Sequence, residues 1–585
     1  MAITSEGTAK PLRETAAGGN DGAARGRRNA HFLILFSLLL FGFCLATRIP
    51  LRSSYLSGWD PVQFALAIHH FDPRLHQPQP PGYIVFVGLA KLLARLLRDD
   101  NLALTTLAAF FSALSAVLLF LLAYWMFDRR TALLASIVWA TCPLVWFHGL
   151  VGEIYTAAGF ASLATAVSVF AFLKSPSRLS AASAGGVYAL AAGLRPDQLL
   201  LLAPLFLFPF WRSAKCRVWA AYAVVPALLG CAAWYVPTLA SAGGSGQYSQ
   251  LLRDQFSGEA GKGSVFFGAP PVVHLWMLTL LVSGLTLGIL PLLFLLPLLR
   301  TRGKLSTLVS WTAEDETSLV VVWAAPFLLF YSLIFIWKVG YCIACLPPLL
   351  LWGSRKVTLG LRESRQNGTA RFWPLVLFCV VTNTSVFFLV PRAPAPRAGV
   401  ESTRVARLLP EALNRTFLCC GYKGIRLDQS EKKTYLGQMR KFLSTGGWAV
   451  VLIQRELSEC LNFRVLEYYL PGVPVYAVTG LSAAAPGVHH PLFVWIGRSA
   501  DKSAPTFAGQ GLEPTLILRV ATKRVLLVYS KQLLVGVSAK GGSAREALNE
   551  DLDGGIDVYE IYQLSLTPES SVDVALGGHT LSVVE

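Results

Sequence analysis

Apolar runs recur along the first two thirds of the chain, broken by short polar stretches, and they predict a bundle of membrane-crossing helices. About eleven candidate spans emerge, near 31–47, 102–126, 131–148, 154–173, 180–194, 198–211, 218–240, 273–299, 318–337, 341–353 and 373–391. The basic residues between them test that reading. Arg25, Arg27 and Arg28; Arg129 and Arg130; Lys174 and Arg178; Arg212, Lys215 and Arg217; Arg300, Arg302 and Lys304; and Arg355, Lys356, Arg362 and Arg365 fall in alternate loops, the positive-inside pattern.

The same accounting assigns two ambiguous segments. Residues 81–97 would put Arg129 and Arg130 outside if they crossed. Lys91, Arg95 and Arg98 also lie on one helical face, so the segment reads as an amphipathic helix in the interface. The loop between the first two spans is then wholly external. Between the basic loops at 174–178 and 212–217 the chain crosses twice and turns at Arg195-Pro196-Asp197. Each arm is shorter than the ~20 residues of a full span, which places Arg195 and Asp197 below the outer surface in a polar cavity.

Outside these runs the pattern changes twice. Residues 1–30 are polar, Gly/Ala-rich and basic, and read as a disordered cytoplasmic tail before an uncleaved signal anchor. After the Pro-rich stretch that follows Arg392, residues 392–585 carry alternating runs such as WAVVLIQ, RVLLVYS and IDVYEIYQL beside the helix-like CLNFRVLEYYL. An odd number of crossings from an inside N-terminus makes this an external α/β domain. The fold class is therefore an α-helical polytopic membrane protein, with residues 31–391 as the membrane domain and interfacial helices in its first external loop.

Composition agrees: 54% of the 585 residues are hydrophobic and only 15% are charged. A net charge of +17 would suit nucleic acid, but the Lys and Arg sit between apolar segments, so that partner is excluded. Most cysteines lie in apolar spans as small hydrophobes; Cys419, Cys420 and Cys460 leave one external disulfide open. No Cys/His spacing resembles a zinc site, and no Gly-rich phosphate loop precedes a helix. No metal or cofactor is therefore expected.

Polar chemistry concentrates in the first loop, YLSGWDPVQFALAIHHFDPRLHQPQPPGY, residues 55–83. In Trp59-Asp60-Pro61 the aspartate suits a helix N-cap ahead of a first-turn proline, and equally a general base at the mouth of a membrane cavity. His69, His70 and His76 do not share one direction, which disfavours metal ligation. HQPQPPGY is stiffened by its prolines, so His76, Gln79 and Tyr83 read either as loop-shaping residues or as a rigid wall of a site. Glu153 follows the third span, five residues after His148, as a helix-start charge or a catalytic carboxylate. Lys338, with Tyr341 beside it, snorkels at the interface or holds a lipid phosphate. Arg195 pairs with Asp197 or joins that role. External carboxylates and external cations around one membrane-facing pocket suit a lipid-phosphate donor, whose acceptor hydroxyl needs a base and whose leaving phosphate needs cations.

The order of these elements resembles the glycosyltransferase superfamily C: a first span, a long external loop with an early Asp, the HQPQPPGY element, Glu153-Ile154-Tyr155, then Lys338-Val339-Gly340-Tyr341 followed by Leu346-Pro347. The branches it is most similar to are the dolichyl-phosphate-mannose protein O-mannosyltransferases and the bacterial aminoarabinose transferases acting on lipid A, over roughly residues 31–360. The resemblance implies a transferase of a mannose-like hexose or related sugar from a polyprenyl-phosphate donor to an external protein, lipid or glycan acceptor. Asp60 would be the base and Lys338 the donor-phosphate cation. Two departures stand out. Pro61 follows Asp60 where many members pair acidic residues, and Asn101-Leu102-Ala103-Leu104 stands where some carry Arg, leaving phosphate binding to Arg98, Arg195 or Lys338. The multi-pass chain is expected in a bacterial cytoplasmic membrane. The alternative reading is a polytopic transporter or lipid-linked glycan flippase, which the absence of evident paired repeats disfavours.

Overall fold

The computed structural model describes residues 18–295, 315–363, 368–389, 413, 416, 420–444, 449–454, 462–473 and the strands between 475 and 584. Among these, six helices are long and apolar enough to cross a membrane, within Asn29–Leu51, Asp100–Met126, Tyr155–Lys174, Ala220–Ser241, Pro271–Leu295 and Arg371–Leu389. The remaining crossings proposed from the pattern correspond to shorter helices. The chain runs through α1 (Gly18–Arg48), α2 (Trp59–His69), α3 (Ile84–Leu97), α4 (Asp100–Met126), α5 (Arg129–Thr141), α6 (Pro143–His148), α7 (Tyr155–Lys174) and α8 (Arg178–Leu194). It continues with α9 (Gln198–Leu201), α10 (Ala203–Arg212), α11 (Ala214–Arg217), α12 (Ala220–Ser241), α13 (Ser245–Gly263), α14 (Pro271–Leu295), α15 (Asp315–Leu333), α16 (Leu346–Glu363) and α17 (Gly368–Leu389).

Several boundaries differ from the pattern. Helix α1 reaches back to Gly18, into the stretch expected as a disordered tail, because extending an existing helix is far easier than nucleating one. The run 131–148 breaks at Cys142, since Pro143 disfavours helical backbone in the residue before it and cannot donate a hydrogen bond back. The run 341–353 opens as a 3-10 turn, Val339–Ala344, before α16 begins.

The core lies among α4, α5, α7 and α8, where small residues let the helices approach closely. At the last turn of α1, Arg48 is completely buried and is held by Ser112 Oγ at 2.9 Å and the Ala140 carbonyl at 2.8 Å. At the far end of α4, Asp128 caps α5 by accepting from the Arg130 and Thr131 N–H groups, and it pairs with Arg355 of α16 at 2.8 Å. Both ends of the bundle are thus pinned by charge-assisted bonds.

The first loop carries α2 and α3 as its helices. Helix α3 exposes Leu89, Leu92 and Leu96 beside Lys91 and Arg95, an amphipathic surface. Beyond the bundle come α18 (Tyr422–Ser444), α19 (Phe463–Tyr469) and ten strands. WAVVLIQ forms β1 (Ala449–Gln454), RVLLVYS β5 (Arg524–Ser530) and the IDVYEIYQL stretch β8 (Tyr559–Ser565). The others are β2 (Val475–Val478), β3 (Leu492–Ile496), β4 (Leu516–Leu518), β6 (Leu534–Lys540), β7 (Ser543–Glu546), β9 (Ser571–Leu576) and β10 (His579–Val584). They pair in two five-stranded mixed sheets of order β2-β1-β5-β8-β7 and β4-β3-β10-β9-β6. Helix α19 seats this region on the first loop: the Tyr469 hydroxyl accepts from the Leu56 N–H at 2.7 Å, and Arg464 donates to the Leu75 carbonyl. The disulfide considered above, from Cys460 to Cys419 or Cys420, requires Cys460, which lies outside the described residues.

Candidate active site

Helix α2 begins at Trp59, two residues earlier than Asp60-Pro61 suggests. Its N-cap is Gly58, whose φ of 80° is readily adopted only without a side chain, and no side chain caps the helix. Asp60 is therefore a first-turn residue and not the N-cap. Its carboxylate points to Lys338 instead, with Oδ2 3.5 Å from Nζ. Lys338 also reaches Glu153 Oε1 at 3.2 Å, so one ammonium bridges two carboxylates that are 93 positions apart in the chain. Glu153 lies in the loop between α6 and α7, and its other oxygen is 2.7 Å from His148 Nδ1 at the end of α6. The His148 side chain is 1% exposed and that of Glu153 8%, against 14% for Lys338 and 21% for Asp60. Asp60 is thus the carboxylate nearest to entering ligands.

The electrostatics separate the two acids. Burial pushes the Glu153 carboxyl up, but the Lys338 ammonium and the His148 contact outweigh it and hold the group at about 2. Glu153 is a permanent anion that anchors Lys338 and has no proton to give at neutral pH.

Lys338 is placed by the turn that follows it. At Gly340 an added Cβ would fall 2.4 Å from Tyr155 Cδ2 and 2.8 Å from His148 Cε1, so only glycine lets this backbone lie against α6 and α7. Ser162 Oγ donates to the Ala344 carbonyl at 2.7 Å and accepts from Trp323 Nε1 at 2.7 Å, fixing the far end of the turn. Tyr341 then projects beside Tyr155, with ring centroids 5.2 Å apart, and beside Tyr331 at 5.5 Å.

Arg195 stacks over that aromatic group, 4.5 Å from the Tyr341 ring and 5.2 Å from the Tyr155 ring. Its Nε donates to both oxygens of Asp197 at 3.0 Å, the local ion pair that the turn sequence suggested. The side chain is 3% exposed, and Nη1 has no hydrogen-bond partner among the described residues. Tyr83, at the start of α3, lies close enough to Arg195, Tyr341, Asp197 and Asp60 for their charges to interact, and burial pushes its phenol well up. The Tyr83 hydroxyl therefore remains a donor.

Asp60, Glu153, Lys338, Arg195, Tyr341 and Tyr83 therefore belong to one neighbourhood. Gln79 is half-buried on the stretch before Tyr83, and its Oε1 is buried without a hydrogen-bond partner among the described residues. The next segment is held from outside by Tyr248, whose hydroxyl donates to the Pro81 carbonyl at 2.8 Å. His76 is exposed, ending the short turn Pro73–Leu75 with φ 53°. Sequence reasoning passed over His148, Tyr155, Tyr331 and Glu259 as site residues. His148 was visible five positions before Glu153. Glu259, half-buried on α13 and near enough to Asp60 for their charges to interact, left no local signal. Among the described residues, no group of three or more His, Cys, Asp or Glu side chains is arranged to hold a metal ion.

No protein-family model matches the chain, and no curated protein matches its sequence. Solved structures do. The crystal structure of ArnT from Cupriavidus metallidurans bound to undecaprenyl phosphate aligns over 91% of this chain and 97% of its own, with a TM-score of 0.51 and 10% identity. At that identity the likeness is one of fold. The archaeal oligosaccharyltransferase AglB from Archaeoglobus fulgidus, in complex with an inhibitory peptide and a dolichol-phosphate, aligns over 80% of this chain and 62% of its own at a TM-score of 0.40 and 13% identity.

Proposed function

Because the chain has the glycosyltransferase superfamily C fold, we propose that it is a membrane glycosyltransferase moving a sugar from a polyprenyl-phosphate donor to an acceptor hydroxyl on the outer face of the membrane. The observation that carries this reading is the bridging of Asp60 and Glu153 by Lys338, beside a buried Arg195 whose Nη1 has no hydrogen-bond partner among the described residues. ArnT binds undecaprenyl phosphate, a lipid of the donor's class. In this reading the acceptor oxygen bonds to the anomeric carbon while that carbon's bond to the phosphate oxygen breaks, its electron pair leaving on the phosphate. The hydroxyl proton passes to Asp60, the more exposed of the two paired acids. Attack from the face opposite the phosphate inverts the anomeric centre.

Polyprenyl phosphate departs as an anion, so it calls for cations rather than a proton donor. Lys338 and Arg195 are two such cations in this neighbourhood. A phosphate that draws Lys338 toward itself loosens the 3.5 Å contact to Asp60 and leaves that carboxylate a better base. Glu153, held ionised, keeps Lys338 in reach and supplies negative charge near the anomeric carbon as positive charge develops there. Tyr83, Tyr341 and Gln79 are the groups we assign to sugar and phosphate hydroxyls. The sugar is taken as a mannose-like hexose or a related one, the acceptor as protein, lipid or glycan, and the site as the outer face of a bacterial cytoplasmic membrane.

Purified protein in vesicles, supplied with polyprenyl-phosphate sugars labelled in the sugar and with envelope lipids and proteins, should transfer label. Asp60→Asn should lower that transfer by about 10²- to 10⁴-fold without changing the melting temperature. Undiminished transfer by the variant would remove Asp60 as the base. Failure of every polyprenyl-phosphate sugar to donate would overturn the function itself.

A further inference from the structure

A cavity of about 750 Å³ lies between α3, the start of α4 and the helices α18 and α19, and none of Asp60, Glu153, Lys338 or Arg195 lines it. Four cations face it: Lys91, Arg95 and Arg98 from the end of α3, and Arg440 from α18. Two carboxylates share the wall, and both are already engaged. Asp99 caps α4 by accepting from the Leu102 N–H at 2.6 Å, while Asp100 is 2.7 Å from His69 Nε2 and accepts from the Tyr468 hydroxyl at 2.9 Å. Lys91, Arg95 and Arg98 form no ion pair among the described residues, and Arg440 donates only to the Tyr469 carbonyl, at 3.1 Å. The cavity therefore presents a surplus of cationic donors whose local acidic neighbours are otherwise occupied, an arrangement that suits a multiply charged oxyanion.

The same helix says what that anion is attached to. Leu92 and Leu96, 67% and 76% exposed, run beside Lys91 and Arg95, one residue further round the helix at each turn. A free anion makes no use of such a stripe, whereas an amphiphile lays its chains on the leucines and its headgroup against the guanidinium groups. We propose that this cavity is a second lipid site, which seats the phosphate headgroup of an anionic lipid on Arg95, Arg98 and Arg440 with its acyl chains along Leu92 and Leu96. The site goes beyond the transferase reading and does not depend on it. Its cations come from both the first loop and the helices beyond the bundle, so an occupied site ties the two together.

The test uses the full chain in detergent micelles, titrated separately with dioctanoyl phosphatidic acid, dioctanoyl phosphatidylcholine and inorganic phosphate, with binding read by thermophoresis. Phosphatidic acid should bind saturably, and the combined change Arg95→Ala, Arg98→Ala and Arg440→Ala should weaken it by about tenfold or more, since charge-assisted bonds to phosphate are lost. The single variants Arg95→Ala and Arg98→Ala, both on exposed side chains, serve if the combined variant does not fold. Arg195→Ala should leave this binding unchanged. Equal loss in Arg195→Ala would put the lipid beside Arg195 and Lys338 and overturn the second site. Phosphatidylcholine binding as tightly as phosphatidic acid would overturn anion recognition, and inorganic phosphate binding as tightly would overturn the assignment to a lipid.

Discussion

Replacing Lys338 with Met keeps a side chain of similar length and removes the ammonium that bridges Asp60 and Glu153. The magnitude follows from Glu153, whose carboxyl is held at about 2 against an ordinary 4.5. At about 1.4 kcal/mol per tenfold change in proton affinity, that difference corresponds to about 3 kcal/mol of stability. The sign is set by the lowered value: the contribution is complete above about pH 4.5 and is lost as pH falls toward 2. In the variant, burial still pushes the carboxyl up while its main opposing charge is gone, so an isolated anion is left at a site 8% exposed. Loss of one partner from a buried pair typically destabilises by about 3–5 kcal/mol, which agrees with the figure from Glu153. Thermal melting of the detergent-solubilised protein at pH 7 should show Lys338→Met well below the wild type. Adding Glu153→Gln should recover much of the difference, because the unpaired charge disappears with it. A Lys338→Met protein that melts with the wild type at pH 7, or a double variant no more stable than the single one, would refute the bridging role.

Gly340→Ala should destabilise the protein by about 1–3 kcal/mol, since its methyl group would sit 2.4 Å from the Tyr155 ring, and should lower transfer by displacing Lys338; unchanged melting would refute the close-packing argument. Arg195→Ala should raise the apparent KM for the lipid-linked donor by about tenfold or more, and Arg195→Lys should recover only part of that, because an ammonium cannot lie flat over the Tyr341 ring as the guanidinium does; equal KM values across the three proteins would remove Arg195 from donor binding.

The membrane architecture was legible because burial in lipid acts on every residue of a helix. A run of apolar side chains ended by Arg or Lys declares itself in one dimension, and so does the i, i+4, i+7 spacing of Lys91, Arg95 and Arg98 on α3. The sequence also supplied Asp60, Glu153, Lys338 and Arg195 as polar residues at span ends, where an ionisable group needs a reason to be. It did not reveal their partners. Asp60 reads as a cap because Asp-Pro commonly starts a helix, yet the helix is capped two residues earlier, at Gly58, and that frees the carboxylate to face Lys338. Whether a carboxylate caps, catalyses or anchors depends on which charge lies within about 4 Å, and that is decided by how α2, the loop before α7 and the turn before α16 pack together. His148 and Tyr155 entered the site in the same way, through the gap that Gly340 leaves for them. Hydrophobic periodicity along the chain determined which segments enter the membrane; only tertiary packing brought charges from distant segments into contact, because Coulomb energy depends on separation in space and not along the chain.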